Sequence, residues 1–97
     1  MVNSNPSNSS APTQATPVLD TSGLACPLPV LKAGKKLRSL APGALLEVRA
    51  TDPMSAIDMP HFCTQAGHEL LEQRKEDPPV GQQTRKTIYV YLIKRGS

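Results

Sequence analysis

The chain carries two thiols, Cys26 and Cys63, and the neighbours of the first are what suggest chemistry. Cys26 sits in GLACPLP, residues 23–29, followed at once by Pro27 and, one residue on, by Pro29. Proline lacks a backbone N–H and fixes φ at about −65°, so a helix accepts it only in the first turn, where N–H groups have no intrahelical acceptor. Both prolines can be helical only if a helix begins at them, which puts Cys26 at or next to its N-cap. A thiol there meets the positive end of the helix macrodipole, which favours thiolate over thiol. With Pro27 and Pro29 contributing no N–H, Leu28 and Val30 are the first-turn donors left for the sulfur. No second cysteine lies close by, so dithiol redox logic is absent. What remains is a single exposed thiolate that accepts a group and hands it on.

Cys63, in the middle of an apolar helical face, reads as a small buried hydrophobe. Two cysteines far apart and without CxxC spacing form neither a disulfide framework nor a redox motif, although the sequence leaves a Cys26–Cys63 bridge open. His61, Cys63 and His68 make an HxCx4H run that fits no common zinc spacing, so no metal site is expected. Lys32, Lys35 and Lys36 gather on one side of the helix that begins at the prolines. By default they form a solvated face, yet a partner docking on that helix would meet positive charge.

The elements that must position Cys26 follow from punctuation and periodicity. Residues 1–17, MVNSNPSNSSAPTQATP, carry no charge and no apolar period and read as a disordered tail. VLD at 18–20, closed by TSG, is a brief first strand. A helix over about 27–40 follows, with Val30, Leu31, Gly34, Leu37 and Ala41 at helical spacing, until Pro42-Gly43 stops it. ALLEVRAT, 44–51, alternates like a half-buried strand. Asp52-Pro53 is a helix-start signal with Asp52 as N-cap, and the second helix runs from about Met54 to Ala66, with Ile57, Phe62 and Ala66 inward and Gly67 as its stop. Pro60 demands either a kink or a short turn before a main helix starting near residue 60. HELLEQRK, 68–75, and KTIYVYLIKR, 86–95, read as strands joined by a mobile hairpin loop. The order β-α-β-α-β-β predicts an α+β fold: a two-layer α/β sandwich with two helices on one face of a four-stranded mixed sheet.

Composition sets bounds. A chain of 97 residues suits one small domain, and with 38% hydrophobic and 3% aromatic residues its core must be aliphatic. No stretch reads as a secretory signal or a membrane span, so the sequence predicts a soluble, cytoplasmic protein. The net charge of +3 falls entirely from Asp20 onward and suits an acidic protein surface or RNA.

Taken together, LDTSGLACPLPVLKAGKKL, TDP, DMPHFC, GHELLE and YLIKRG, in that order, closely resemble the TusA/SirA-type sulfur-carrier family over residues 18–96. The resemblance implies a sulfur-carrier domain over 18–97 with the two-layer sandwich just described. It also implies that Cys26 takes persulfide sulfur from a cysteine desulfurase and passes it to the thiol of a downstream relay protein. In the family this relay commonly ends in tRNA 2-thiouridine, with tRNA an indirect partner, and in relatives it feeds molybdenum-cofactor enzymes or sulfur oxidation. No cofactor beyond the transient cysteine persulfide is implied, and a carrier that visits several partners is most simply a monomer. Gly23, Pro27, Pro29 and Asp52 are expected as structural supports of the motif. Leu28 stands where some relatives have a charged residue; the hairpin loop and the tail are longer than in compact members.

Two alternatives compete. A phosphorelay-type regulatory module would need clustered carboxylates to hold a cation, and Asp20, Asp52 and Asp58 stand apart in sequence. An RNA-binding module would stack bases on sheet aromatics, for which Tyr89 and Tyr91, on one face of the last strand, are the candidates.

Overall fold

The computed structural model describes residues 16–81 and 86–96. Most of the expected tail and the residues 82–85 of the expected hairpin loop lie outside the described residues. The elements run β1 (Val18–Thr21), α1 (Leu28–Arg38), β2 (Leu45–Ala50), α2 (Ser55–Ala66), β3 (Glu69–Glu76) and β4 (Ile88–Lys94). This is the β-α-β-α-β-β order read from the sequence.

The sheet is mixed, in the order β1-β2-β4-β3. β1 and β2 pair in parallel with α1 as their crossover, and β4 lies antiparallel between β2 and β3. Pairing with β2 starts just before β1, because the Pro17 carbonyl accepts the Glu47 N–H at 3.0 Å. Strand alternation puts Leu46, Val48 and Ala50 of β2 on the same face as Ile93, Tyr91 and Tyr89 of β4, their register partners. Ala33 and Leu37 from α1 and Met59 and Cys63 from α2 join that face in a single core cluster. Both helices therefore cover one side of the sheet.

The opposite face holds Glu47, Arg49, Glu72, Arg74 and Glu76. Arg49 bridges Glu47 at 3.0 Å and Glu76 at 2.7 Å, and Arg74 reaches Glu72 and Glu76 at 3.3 and 3.2 Å. The Arg49 contact holds the Glu76 carboxyl below its usual value.

The inward faces of both helices match the expected ones only in part: Val30, Gly34, Leu37 and Phe62 are buried or packed on the core, and the others differ. α1 buries Pro29, Ala33, Gly34 and Leu37, whereas Leu31 is 60% exposed and Ala41 lies beyond the helix end. Gly34 lies against α2, where a Cβ would stand 3.4 Å from the Phe62 ring, at the edge of ordinary van der Waals contact. α2 buries Ser55, Met59 and Cys63, with Phe62 packed against the core. Ile57 lies nearly opposite that stripe and is 66% exposed. Ala66, at the last turn, is exposed as well.

Pro60 sits inside α2, which runs continuously from Ser55 to Ala66, so no short turn precedes a main helix at residue 60. A helical proline leaves the carbonyl four residues earlier without its N–H. Here Gln73 of β3 supplies the replacement, its amide donating to the Ala56 carbonyl at 3.2 Å. Gly67 ends the helix as expected, in the left-handed conformation at φ +79°, with its N–H on the Cys63 carbonyl.

Candidate functional site

The loop that carries Cys26 is held at both ends. Thr21, the last residue of β1, is fully buried and donates its hydroxyl to the Arg49 carbonyl at 2.7 Å. The Leu24 N–H returns to the Thr21 carbonyl at 3.1 Å, closing a turn in which Gly23 takes φ +83°. A side chain there would meet no neighbour, so backbone conformation selects glycine. The Gly23 N–H donates to Thr51 Oγ1 at 2.9 Å, and Asp20 accepts the Ser22 N–H at 2.9 Å, contacts with Ser22 that hold the Asp20 carboxyl below its usual value.

Beyond the turn, the Leu28 N–H donates to the Ala25 carbonyl at 2.9 Å. Pro27 is the N-cap of α1 and Pro29 is in its first turn, buried. The Cys26–Pro27 peptide is cis. Cys26 itself is exposed, next to the N-cap as the prolines required.

What the sequence did not predict is a pair of carboxylates in contact with this cysteine, one on its backbone N–H and one on its sulfur. Asp52 Oδ2 accepts the Cys26 N–H at 2.6 Å while its Oδ1 accepts the Met54 N–H at 3.1 Å. Asp52 is therefore not the cap of α2, whose N-cap is Met54 with no side-chain bond. It closes the turn before that helix and ties it to the Cys26 loop. From the first turn of α2, Asp58 Oδ2 accepts a hydrogen bond from Cys26 Sγ at 2.6 Å.

This contact reverses the expected thiol chemistry. The Cys26 thiol is pushed up from its ordinary value, first by its hydrogen bond to Asp58, then by desolvation and by the charges of Asp58 and Asp52. Magnitudes explain the sign. A helix N-terminus offers roughly half a positive charge, spread over its free N–H groups. In α1 the two prolines remove some of those groups, and the Leu28 N–H is spent on Ala25. A full carboxylate charge in direct contact outweighs what is left.

The lysine stripe and the thiol occupy different ends of α1. Lys35 and Lys36 lie in its last turn, where they complement the negative end of the dipole. Eight residues of helix separate Leu28 from Lys36, about 12 Å at 1.5 Å per residue. Lys32, Lys35 and Lys36 line an open groove of about 310 Å³ with Leu19 and Ser39. A second hollow, of about 230 Å³, adjoins the cysteine loop and is lined by Gly23, Leu24, Ala25, Thr51, Asp52, Pro53 and Lys86. Large apolar side chains are exposed at the same ends of α1 and α2 that carry Cys26 and Asp58: Leu28 44%, Leu31 60%, Met54 47% and Ile57 66%.

Cys63 is 2% exposed, and burial pushes its thiol up to about 11. The other residues of the HxCx4H run do not converge on it. His61 is exposed, and His68 Nδ1 accepts the Gly96 N–H at 2.9 Å. Among the described residues no group of three His, Cys, Asp or Glu side chains could hold a metal ion. Asp20, Asp52 and Asp58 bond respectively to Ser22, to the Cys26 backbone and to the Cys26 thiol, which is not a receiver-type cation cluster. Among the described residues, the open face of the sheet carries no aromatic platform of the kind an RNA-binding sheet requires. Tyr91 points into the core, fully buried, its hydroxyl 2.7 Å from Ser55 Oγ, and Tyr89 packs beside it. Among the described residues no helix is long and apolar enough to cross a membrane.

Comparison with known proteins agrees with this architecture. The family model described as sulfurtransferase TusA matches residues 18–94. The sulfur carrier protein TusA of Pseudomonas paraeruginosa is 54% identical over 59 residues, covering 61% of this chain and 75% of that protein. Its counterpart in Pseudomonas putida strain GB-1 is 51% identical over 59 residues, covering 61% and 74%. Among solved structures, a SirA-like protein from Desulfitobacterium hafniense superposes with a TM-score of 0.58 at 23% identity, over 82% of this chain and 97% of that one, a likeness of fold.

Proposed function

The chain belongs to the sulfurtransferase TusA family, and on that premise we propose that it is a persulfide sulfur carrier with Cys26 as the carrier thiol. One observation carries the assignment to this residue: Cys26 is exposed at the head of α1, whereas Cys63 is sealed in the core. A carrier thiol must be reached by the sulfur of another protein, and only Cys26 meets that requirement.

In the proposed cycle a donor persulfide, formed on a cysteine desulfurase, meets Cys26. A bond forms between Cys26 Sγ and the donor's terminal sulfur, and the donor's own S–S bond breaks. The donor leaves as a thiol carrying the proton that Cys26 gives up, and Cys26 becomes Cys26–S–SH. Sulfur changes owner with no net oxidation, so no cofactor or metal has a part in the step. A downstream relay thiol then takes the terminal sulfur in the same way, in a cytoplasmic pathway such as tRNA 2-thiouridine formation, with tRNA contacted through later partners. The exposed Leu28, Leu31, Met54 and Ile57 offer apolar surface for the donor around the thiol. The Lys32, Lys35, Lys36 groove offers acidic partners a second contact. Gly23, Pro27, Pro29 and Asp52 hold the loop.

Incubation with a cysteine desulfurase and cysteine, followed by intact mass measurement, tests the assignment. One added sulfur atom, removable by reductant, is expected in the wild type and in Cys63→Ser and is lost in Cys26→Ser. Sulfur retained by Cys26→Ser would move the carrier to another residue, and no uptake by any variant would count against carriage altogether.

A further inference from the structure

We infer that Asp58 is a restraint on the carrier thiol: it holds Cys26 as S–H in the free protein, and a docking partner must neutralise Asp58 before sulfur moves. The inference rests on the carrier reading above and adds to it a residue and a condition for transfer. Its basis is the contact itself, with Cys26 Sγ 2.6 Å from Asp58 Oδ2 and the Cys26 backbone fixed by Asp52 at 2.6 Å, so that the sulfur faces the carboxylate instead of turning freely. A thiol can satisfy that carboxylate as a donor; a thiolate, with no proton to give, would set two negative charges against each other.

Among the described residues, the charges that act on the thiol are negative. Asp58 faces it from α2 and Asp52 from the turn before α2, and both raise it. The cation in the adjoining hollow, Lys86, lines it together with Asp52. Relief must therefore come from outside, and the chemistry that would supply it is a cationic side chain, or a set of backbone N–H donors, presented by the partner to Asp58. The exposed Met54 and Ile57, on the same segment as Asp58, give such a partner an apolar foothold.

Once Asp58 is occupied, the transfer written above proceeds with the same balance. The Cys26 proton is free to leave, the new Sγ–S bond forms as the donor S–S bond breaks, and the proton ends on the donor's departing sulfur.

The test needs no sulfur donor, which keeps its failure separate from failure of the carrier reading. Alkylation of Cys26 by iodoacetamide is followed against pH in a Cys63→Ala background, for the native protein, for the urea-unfolded chain, and for Asp58→Asn and Asp52→Asn. The native profile should lie at higher pH than the unfolded one. Asp58→Asn should shift it to lower pH, and Asp52→Asn should shift it less, because that carboxylate bonds the amide and not the sulfur. A native profile at or below the unfolded one, or one that Asp58→Asn leaves in place, would overturn the inference. So would equal shifts in the two variants, which would assign the effect to net charge. Asp58→Glu, which keeps the charge, should retain most of the wild-type displacement; a profile like that of Asn would also count against it.

Discussion

Replacement of Asp52 separates the two functions that its carboxylate combines, closing the turn before α2 and fixing the Cys26 loop to it. Asp52→Ala removes two charge-assisted acceptors, one for the Cys26 N–H at 2.6 Å and one for the Met54 N–H at 3.1 Å. Hydrogen bonds to a charged group contribute about 1.5–3 kcal/mol when well formed. Both are open to water, which can replace the lost partner, so the low end applies: about 1.5 kcal/mol for the short bond and about 0.5 for the long one, roughly 2 kcal/mol together. In a domain of this size that corresponds to a melting temperature lower by roughly 10 °C. Asp52→Asn retains one carbonyl oxygen and can accept only one of the two N–H groups without turning its own NH2 toward the other, so it should lose about half as much. Urea denaturation gives the energies. Amide hydrogen exchange gives the location, because exchange at Cys26 and Met54 should accelerate well beyond that of the β2 and β4 amides. Unchanged Cys26 exchange in Asp52→Ala, or a loss below about 0.5 kcal/mol, would refute the view that Asp52 fixes the loop.

Two further predictions concern the core beneath the site. Tyr91→Phe leaves the buried Ser55 hydroxyl without its partner at 2.7 Å. It should cost about 1–3 kcal/mol, while Ser55→Ala with Tyr91→Phe should recover much of that because no orphan remains; strictly additive losses in equilibrium unfolding would contradict a coupled pair. Cys63, 2% exposed and pushed up to about 11 by burial, should resist iodoacetamide in the native protein at pH 9 while Cys26 reacts, as read by peptide mass mapping. Labelling of both thiols at similar rates would show the core to be open at α2.

The order of the elements was legible because its signals are local. Pro42-Gly43, Asp52-Pro53 and Gly67 mark breaks through the backbone conformations they impose, and the alternation in β2 and β4 shows which strands have a buried side. Faces were less legible. Ile57 was expected inward because it is large and apolar, whereas the core takes Ser55, a polar residue made acceptable by Tyr91 on another strand. Pro60 left open a short turn before a later helix start, which α2 avoids, and the donor that replaces the missing N–H, Gln73, comes from β3, out of reach of a local reading. The alternation of β4 placed both tyrosines on one face correctly, but which face meets the helices depends on β2 and β3 as well. The place of Cys26, exposed beside the start of α1, was legible from the spacing of Pro27 and Pro29, since a helix start is local. Its electrostatic setting was not, for Asp58 reaches Cys26 only through the packing of α2 against α1. The one hint was that Asp58 falls in the first turn of α2, one residue before Met59 of the inward stripe.

That setting bears on both halves of the proposed relay, with opposite sign. In uptake Cys26 attacks, and thiols of higher pKa yield stronger but scarcer nucleophiles. In delivery Cys26 is the leaving sulfur, and leaving is faster the lower its pKa. A carboxylate against the sulfur therefore makes thiolate scarce before loading, and after loading it opposes the negative charge that develops on Cys26 as the terminal sulfur departs. Both effects keep the carrier closed when alone, and both are lifted by one event, the pairing of Asp58 with a partner's cation. Delivery gains more, because uptake trades abundance against nucleophilicity whereas delivery has no such compensation. A loaded Asp58→Asn carrier should thus release its sulfur to dithiothreitol faster than the loaded wild type, by a larger factor than it gains in uptake from a small persulfide. Equal factors in the two directions would show that Asp58 governs access to the sulfur, not the charge on it.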